Sequence, residues 1–309
     1  MDFITNILIA AVSAGTPLLF ASLGAILTER SGVLNLGVEG MMLIGAVCGY
    51  MGAIQTDNLV YALIFACIGG GLLGLLHALL TITLTANQVV SGLAITLFGT
   101  GLSAYLGQPL IGIPLSITVP IIELPFLSSI PVVGPAFFRG DLLIWLSYVL
   151  VILIFILIYK TSWGLNLRAV GDNPATADAM GQSVVKTRYF YVVIGGMLAG
   201  LGGAYLSLVY TPSWAEGMTA GRGWIAVALV IFARWNPVRA LFGAYFFGGL
   251  DAIGFHLQLT GIDIPSYYLK MVPYLLTIAV LIFVGYKYRG QSTGKPEMLG
   301  QPYVREERY

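Results

Sequence analysis

Residues 142–159 read LLIWLSYVLVILIFILIY, eighteen consecutive residues without a charged side chain. A helix needs about 20 predominantly apolar residues to cross a hydrocarbon core roughly 30 Å thick, so this stretch predicts a transmembrane helix. Eight clear runs of this kind occur, at 5–27, 33–54, 59–83, 88–107, 141–159, 188–210, 240–258 and 267–286. A shorter run, GWIAVALVIFA at 223–233, is a half-helix, a re-entrant element or a span extended by its flanks. We count it as a crossing, and the predicted fold is an all-α, polytopic membrane bundle of about nine helices.

The composition agrees with a membrane protein and gives no sign of an enzyme. Hydrophobic residues make up 58% of the chain and charged residues 9%, and the mean hydropathy is +0.88. Cys48 and Cys67 lie within apolar runs, which indicates neither a disulfide framework nor a metal site. The one stretch similar to a phosphate loop, GQSTGKP at 290–296, has the wrong glycine spacing and a proline after the lysine. We therefore expect a non-catalytic chain without cofactor or metal, driven by energy from another subunit.

The lysines and arginines predict the orientation, because short cytoplasmic loops retain basic residues. Placing the loop 160–188 inside puts twelve basic residues on the cytoplasmic side and three outside. The inside set is Arg30, Lys160, Arg168, Lys186, Arg188, Arg234, Arg239, Lys287, Arg289, Lys295, Arg305 and Arg308, and the outside set is Arg139, Arg222 and Lys270. The amino terminus is then external and the carboxyl terminus cytoplasmic, which requires the short run 223–233 to cross.

The predicted transmembrane permease domain spans residues 1–288, with a long external loop at 107–140 and a long cytoplasmic loop at 160–188. The external loop carries six prolines at a spacing that forbids a long helix. It is either a stiff extracellular cover or an inert connector. Residues 289–309 contain glycine, proline and a charged end, and we predict that they form a disordered cytoplasmic tail.

Two glycine-rich stretches resemble each other. IGGGLLGLLHALL at 68–80 and IGGMLAGLGGAYL at 194–206 share eight of thirteen residues. The two helices run in opposite directions in the predicted topology, so they suggest an inverted repeat, a common plan of transporters. Similar composition alone would also explain the match. Small residues four apart let helix backbones approach closely in lipid, and we expect both helices inside the bundle.

The cytoplasmic loop 160–188 contains a short predicted helix that suits docking to a partner. Asn173 is a good N-cap, Pro174 is favoured at the first helical position, and Gly181 can end the helix. Its side chains are small apart from Met180, whereas a helix lying on lipid would need larger apolar anchors. The predicted contact set is Gly171, Asp172, Asn173, Pro174, Ala177, Met180 and Gly181.

Polar residues inside the apolar runs are candidates for the solute path, because they are costly in a membrane. Glu39 lies near the start of the second run, in SGVLNLGVEGMM, together with Asn35. Glu39 either lines the path or caps the end of a neighbouring helix. Asn87 and Gln88 open the fourth run and are either solute ligands or helix caps. The predicted translocation path is Asn35, Glu39, Asn87 and Gln88.

Four strings in this sequence resemble one known family. They are ERSGVLNLGVEGMMLIGA (29–46), ANQVVSGLAITLFGTGLSAY (86–105), LRAVGDNPATADAMG (167–181) and KMVPYLLTIAVLIF (270–283). They resemble the permeases of branched-chain amino acid, ribose and nucleoside ABC importers, and most closely the nucleoside or simple-sugar branch. The resemblance covers nearly the whole chain, and the first and third strings are specific.

The resemblance implies the permease subunit of an importer in the bacterial cell membrane, carrying a nucleoside or a similar small polar solute. It implies that residues 173–181 form the coupling helix, seated on a cytoplasmic ATP-binding subunit. It also implies a second, often paralogous permease and an extracellular substrate-binding lipoprotein. Some members have an additional leading helix, which this sequence lacks, and this suggests the shorter partner of a heterodimer.

Other solutes and one other class of protein remain as alternatives. Simple sugars and branched-chain amino acids would suit a similar path. An ion-coupled secondary transporter would be expected to carry paired intramembrane carboxylates or broken helices, and only Glu39 and Asp251 are available. Asp251 and His256 are five residues apart, a spacing that places them on different faces of a helix.

Overall fold

The computed structural model describes residues 2–259, 266–287 and 294–305. Within these residues the chain forms twelve α-helices: α1 (Asp2–Arg30), α2 (Val38–Thr56), α3 (Leu59–Ala78), α4 (Gln88–Gly107), α5 (Val133–Phe137), α6 (Leu142–Lys160), α7 (Ser162–Asp172), α8 (Pro174–Ala179), α9 (Val184–Tyr205), α10 (Arg222–Ala233), α11 (Pro237–Leu259) and α12 (Ser266–Lys287). The π-helical turns Leu79–Thr83 and Leu206–Tyr210 extend α3 and α9, and a 3₁₀ turn, Gln108–Leu110, follows α4. The described strands are β1 (Ile121–Glu123) and β2 (Arg139–Asp141).

Seven helical segments of the described residues are long and apolar enough to cross a membrane: Phe3–Arg30, Val38–Thr56, Leu59–Thr83, Gln88–Leu110, Leu142–Lys160, Val184–Tyr210 and Pro237–Gln258. The predicted polytopic helical bundle is therefore confirmed. α10 contains 12 residues, fewer than an upright crossing needs. α12 coincides with the predicted run 267–286.

The spans fall into an inner and an outer group. In α1, α2 and α9, 72–78% of the most apolar stretch is buried within the chain, against 33–39% in α3, α4, α6 and α11. α1 packs against α9, α10 and α11, while α2 packs against α3, α4 and α9. The outer helices leave large apolar side chains such as Leu97 and Ile152 exposed, so their outer faces suit lipid or a second membrane chain.

The second span begins later than the sequence predicted. Residues 31–37, here called the 31–37 segment, are not helical, so α2 starts at Val38 instead of 33. The segment is mostly buried, and buried backbone groups outside a helix need partners. Side chains of other helices supply them: Gln88 accepts from Leu34 N–H (2.6 Å), His77 Nε2 donates to Leu34 C=O (3.0 Å), Thr96 donates to Leu36 C=O (3.0 Å) and Arg188 donates to Ser31 C=O (3.2 Å). Hydropathy alone does not reveal this break, because Val33, Leu34 and Leu36 continue into the apolar run of α2 and the segment contains no charged residue.

α3 and α9 pack antiparallel through glycines that leave no space for a side chain. A methyl group on Gly196 would lie 2.5 Å from the carbonyl oxygen of Gly70 and 3.0 Å from Cα of Gly74. A methyl group on Gly70 would in turn meet the carbonyl oxygen of Gly196 and Cα of Gly200. The two similar stretches align Gly70 with Gly196 and Gly74 with Gly200, so the contact is reciprocal, as a two-fold axis requires. This packing supports the inverted repeat for the helix pair, and a repeat of the whole chain stays a prediction.

The proline-rich loop 107–140 is folded. β1 and β2 pair antiparallel, with Ile121 opposite Asp141 and Glu123 opposite Arg139, and the side chains of Glu123 and Arg139 form an ion pair at 2.7 Å. The short helix α5 packs against α1. The loop therefore covers one end of α1 as a defined structure, in keeping with a cover rather than an inert connector.

Residues 294–305, here called the tail segment, were predicted to be disordered, and that prediction is wrong. Met298 N–H donates to Gly171 C=O (3.1 Å), and Gly300 N–H donates to Gly32 C=O (3.2 Å). The Gln88 side-chain amide donates to Gln301 C=O (3.3 Å). The tail segment is thereby held on α7 and the 31–37 segment by backbone hydrogen bonds and on α4 by a side-chain hydrogen bond, which its polar composition does not reveal. The rest of the predicted tail, 289–293 and 306–309, lies outside the described residues.

The glycine contact between α3 and α9 predicts a sharp steric limit. We expect Gly196→Val to lower the thermal stability of the purified protein, because overpacking of this kind costs about 1–3 kcal/mol. Gly101→Val is the control, since Gly101 lies in α4 with open space at its Cβ position. Melting temperature in detergent is the measurement, and equal melting temperatures for the two variants would contradict the close packing.

Candidate functional site

The predicted docking helix exists and is capped at both ends. It is α8, and Asn173 Oδ1 accepts a hydrogen bond from Thr176 N–H at 3.0 Å, which satisfies one of the free N–H groups of the first turn. Pro174 occupies the first helical position. Gly181 follows in the left-handed region, with φ of +83°, and Gln182 N–H donates back to Ala177 C=O (3.0 Å). The local capping rules therefore placed this helix correctly.

The two sides of α8 differ in exposure. Met180 is 78% exposed, and Ala175 and Ala179 are exposed beside it. Ala177 was predicted to contact a partner, but it is 4% exposed. It is packed in a small cluster with Val170, Val184 and Tyr303. The exposed side of α8 thus contains Ala175 and Ala179, with Met180 directly after them.

The rest of the predicted contact set lies around this helix with different roles. Pro174 and Gly171 are buried, whereas Asp172 and Asn173 are exposed. Gly171 packs against the carbonyl oxygen of Arg30 at the end of α1. These contacts join α7 and α8 to the end of α1.

The tail segment is fixed to α8 through Asp178. Arg305 Nε donates to Asp178 Oδ2 at 3.0 Å, and Tyr303 packs over Ala177. Partial burial, together with the nearby Asp178 carboxylate, raises the pKa of the Tyr303 hydroxyl. The inner side of α8 is therefore covered by the chain itself.

Glu39 caps the start of α10. Its Oε1 accepts hydrogen bonds from Thr219 Oγ1 (2.6 Å) and Gly221 N–H (2.9 Å), and its Oε2 accepts one from Gly223 N–H (2.6 Å). The side chain is buried, with the whole residue 7% exposed. A carboxylate at a helix N-terminus satisfies free N–H groups and interacts favourably with the helix dipole. The geometry matches the helix-cap alternative for Glu39.

The other three predicted path residues also have backbone partners. Asn35 Oδ1 accepts from Gly37 N–H (2.9 Å), and Asn87 caps α4 by accepting from Val89 N–H (3.0 Å) and Val90 N–H (3.1 Å). Gln88 links the 31–37 segment to the tail segment, as described above. The structure brings Asn35 and Gln88 together around the 31–37 segment. Glu39 lies about one turn further along the chain, in the first turn of α2, and its side chain contacts the start of α10.

Three neighbouring cavities lie along the bundle, away from α8, and their walls share residues. The first cavity, of about 530 Å³, lies between α1 and the folded loop 107–140 and is lined by Ser13, Asp141, Val209 and others. The second, of about 370 Å³, shares those three residues and adds Tyr205, Tyr210, Asp251, Phe255 and His256. The third, of about 380 Å³, shares Tyr210, Asp251 and Phe255 and ends at the start of α10, where it is lined by Ala220, Arg222, Leu250, Gln258 and Tyr274. The shared residues make the three cavities neighbours in one series.

Charged and aromatic side chains meet in the third cavity. Arg222 Nη2 lies 3.5 Å from Asp251 Oδ2, and both side chains are partly accessible. The Arg222 guanidinium lies over the ring of Tyr210, 5.4 Å from its centroid. Tyr274 Oη donates to Ala220 C=O at 3.1 Å. The third cavity thus offers hydrogen-bond donors, a carboxylate and aromatic rings at the end of a helix.

Sequence reasoning missed this cluster. From the sequence, Arg222 was assigned to an external loop. Asp251 and His256 were set aside because of their spacing, yet Asp251 and His256 both line the second cavity. The cluster depends on α10 starting beside α11, a long-range contact without a local signal. The unusual shortness of the run 223–233 was the one available indication, since broken helices often end at binding sites.

Comparison with known proteins gives a consistent result. A family model described as "Branched-chain amino acid transport system / permease component" matches residues 7–281. The chain is 42% identical to the putative glucose ABC transporter permease protein TsgC13 of Haloferax volcanii, over 99% of both chains. It is 36% identical to the nucleoside ABC transporter permease protein NupC of Lactococcus lactis (87% of this chain, 89% of that protein). It is 34% identical to the guanosine ABC transporter permease protein NupQ of Bacillus subtilis (100% and 99%). No solved structure matches the chain.

These matches extend over the same apolar helices and the same capped helix α8 that the structure describes. The family model alone covers most of the chain, and the relatives align over nearly their full length. The resemblance inferred from the sequence is therefore confirmed. This multi-pass cell-membrane protein belongs to the branched-chain amino acid transport system permease family and is a permease subunit of an ABC transporter.

Proposed function

We propose that this chain translocates a nucleoside, with a simple sugar as the second candidate, and that ATP hydrolysis takes place on a separate subunit. The observation that carries the proposal is α8, a capped helix whose exposed side is shaped for contact and carries no catalytic group. The names of the relatives support the choice of solute, since two of them are nucleoside or guanosine permeases and one is a glucose permease.

The coupling role belongs to the open side of α8. Ala175 and Ala179 give a flat surface that a partner groove can approach closely, and the exposed thioether of Met180 adapts to apolar pockets of varied shape. The buried side, with Ala177, connects the helix to α7, α9 and the tail segment. A displacement of α8 would therefore be transmitted to α1 through Gly171, which packs against the carbonyl oxygen of Arg30 at the end of α1.

Replacing Ala179 with tryptophan should uncouple transport. The residue is exposed, so Ala179→Trp should leave the amount of permease in the membrane unchanged while the bulky ring obstructs the ATPase groove. Such a misfit costs about 1–3 kcal/mol in a packed site, which is comparable to typical coupling energies between sites. Uptake and co-purification of the ATP-binding subunit are the measurements.

Ala177→Trp is the matched comparison on the same helix. Because Ala177 is buried, this variant should reduce the amount of folded permease before any effect on coupling appears. Normal uptake and normal ATPase retention with Ala179→Trp would refute the assignment of the docking surface.

The orientation proposed here has an external amino terminus, a cytoplasmic carboxyl terminus and nine crossings, with α10 as the short one. The distribution of basic residues supports it. A second permease, an ATP-binding subunit and an external lipoprotein complete the proposed importer. The exposed apolar faces of the outer helices are compatible with a second permease alongside.

Cysteine labelling in intact cells tests the orientation. A cysteine at Asp57, which follows the last residue of α2, should react with an impermeant reagent from outside, and one at Asp178 in α8 should react only after permeabilisation. A background without Cys48 and Cys67, the two native thiols, removes unwanted signal. Reaction of both positions from the same side would rule out the arrangement.

The path role of Asn35, Glu39, Asn87 and Gln88 stays a prediction, and Glu39 is the residue that tests it. Glu39→Gln replaces one acceptor oxygen by an amide that faces N–H donors, and a hydrogen bond to a charged group contributes about 1.5–3 kcal/mol. The cap geometry leads us to expect less permease in the membrane and a lower melting temperature. Immunoblotting, melting in detergent and uptake are measured together.

Glu216→Gln is the control, an exposed glutamate in the chain segment that leads to α10. It should behave like the parent protein. A normal amount of Glu39→Gln protein with normal melting and a specific change in uptake would support a path role for Glu39 instead.

A further inference from the structure

We propose that the third cavity is a solute subsite in which Asp251 and Arg222 bind the vicinal hydroxyls of a ribose or hexose ring. This inference rests on the proposed function, and it adds the chemical group that the permease itself recognises. The shared ligand chemistry is an uncharged ring that carries a vicinal diol, in a nucleoside or in a simple sugar.

The position of the cavity suits a solute in transit. It lies at the start of α10, which begins within the bundle, and it borders the second cavity through Tyr210, Asp251 and Phe255. The second cavity borders the first, which reaches the folded loop 107–140. At about 380 Å³ the third cavity is within the usual size range of small-molecule sites. A broken helix beside a cavity is a recurrent form of solute site in transporters.

The hydrogen-bonding groups of the cavity are incompletely used. Arg222 has one ion-pair contact to Asp251 at 3.5 Å and one contact to Thr219 C=O at 3.5 Å, and both are long. Among the residues that the structure describes, its buried Nε has no hydrogen-bond partner. A guanidinium has five N–H donors and an ionised carboxylate accepts at about four positions. The two side chains therefore retain donors and acceptors for a solute that enters between or beside them.

A vicinal diol matches this arrangement. Its hydroxyls can donate to the Asp251 carboxylate and accept from Arg222, so the ion pair stays together and the solute adds no charge. Tyr210 and Phe255 also line the cavity, and Phe255 is 62% exposed, so their rings are available to the face of a base or sugar. A zwitterionic amino acid would instead draw its carboxylate to Arg222 and its ammonium to Asp251, which would separate the pair.

Uptake of paired ribo- and 2′-deoxyribonucleosides tests the diol contact. With the complete importer, we expect the parent protein to prefer the ribonucleoside over its 2′-deoxy partner, which lacks the 2′,3′-diol. If the solute is a sugar, we expect a preference for glucose over 3-deoxyglucose, in which the C2–C3 and C3–C4 diols are both lost. Asp251→Asn should raise KM for the diol-bearing solute about tenfold, as loss of one charged hydrogen bond does, and should abolish the preference. Asp251→Glu should restore part of it.

Asp57→Asn is the control, an aspartate after α2 that accepts from Ser116 and lies outside all three cavities. It should leave KM and the preference unchanged. Retention of the full preference by Asp251→Asn would overturn the subsite. If the parent importer takes up neither nucleosides nor sugars, the proposed function itself has failed, and that result is seen before any variant is compared.

Thiol protection tests binding apart from transport. Gln258→Cys, in a background lacking Cys48 and Cys67, places a thiol in the wall of the third cavity. In the purified complex, a ribonucleoside or glucose should slow its reaction with a maleimide, while the 2′-deoxy compound and leucine should protect less. Gln108→Cys, exposed after α4, should react equally in all cases. The proposal would be refuted if leucine alone protected the thiol, or if no diol-bearing compound protected it.

Discussion

Backbone hydrogen bonding around the 31–37 segment is the constraint on which the arrangement of the bundle depends. Non-helical backbone within a helical membrane protein is tolerated only where the protein satisfies its polar groups. Here α3, α4 and α9 supply His77, Gln88, Thr96 and Arg188 for that purpose. These helices must therefore lie close to the break between α1 and α2. Of the polar residues that look like solute ligands in the sequence, Asn35 and Gln88 bond this segment. Glu39 and Asn87 cap helices instead.

Glu39 extends the same constraint to the side of the molecule that contains the three cavities. Because α2 begins only at Val38, Glu39 lies in its first turn, and its carboxylate holds the start of α10. The position of that start determines where Arg222 lies relative to Asp251 on α11. The cavities and α8 are thus on different parts of a single framework: α1 contacts α7 at one end and lines the first cavity near the other.

Local chemistry in the sequence predicted most of the helices, although α2 begins five residues later than its apolar run. Long apolar runs predicted the spans, and Asn173, Pro174 and Gly181 predicted α8. It was insufficient where distant segments meet. The burial of Ala177 under Tyr303 and the pairing of Arg222 with Asp251 each require contacts between residues far apart in the chain. Glu39 is intermediate, since the cap was foreseen as an alternative but its partner helix was not.

The ordered tail segment has a consequence for biosynthesis. Residues 298–301 are translated after every helix that the structure describes, yet they hydrogen-bond Gly32, Gln88 and Gly171, which are made much earlier. Until residues 298–303 are made, the carbonyl groups of Gly32 and Gly171 lack these donors and Ala177 lacks its cover. α8 therefore receives its final packing last, and a chain truncated before residue 298 would differ from the longer one at the surface that we propose for contact with an ATPase.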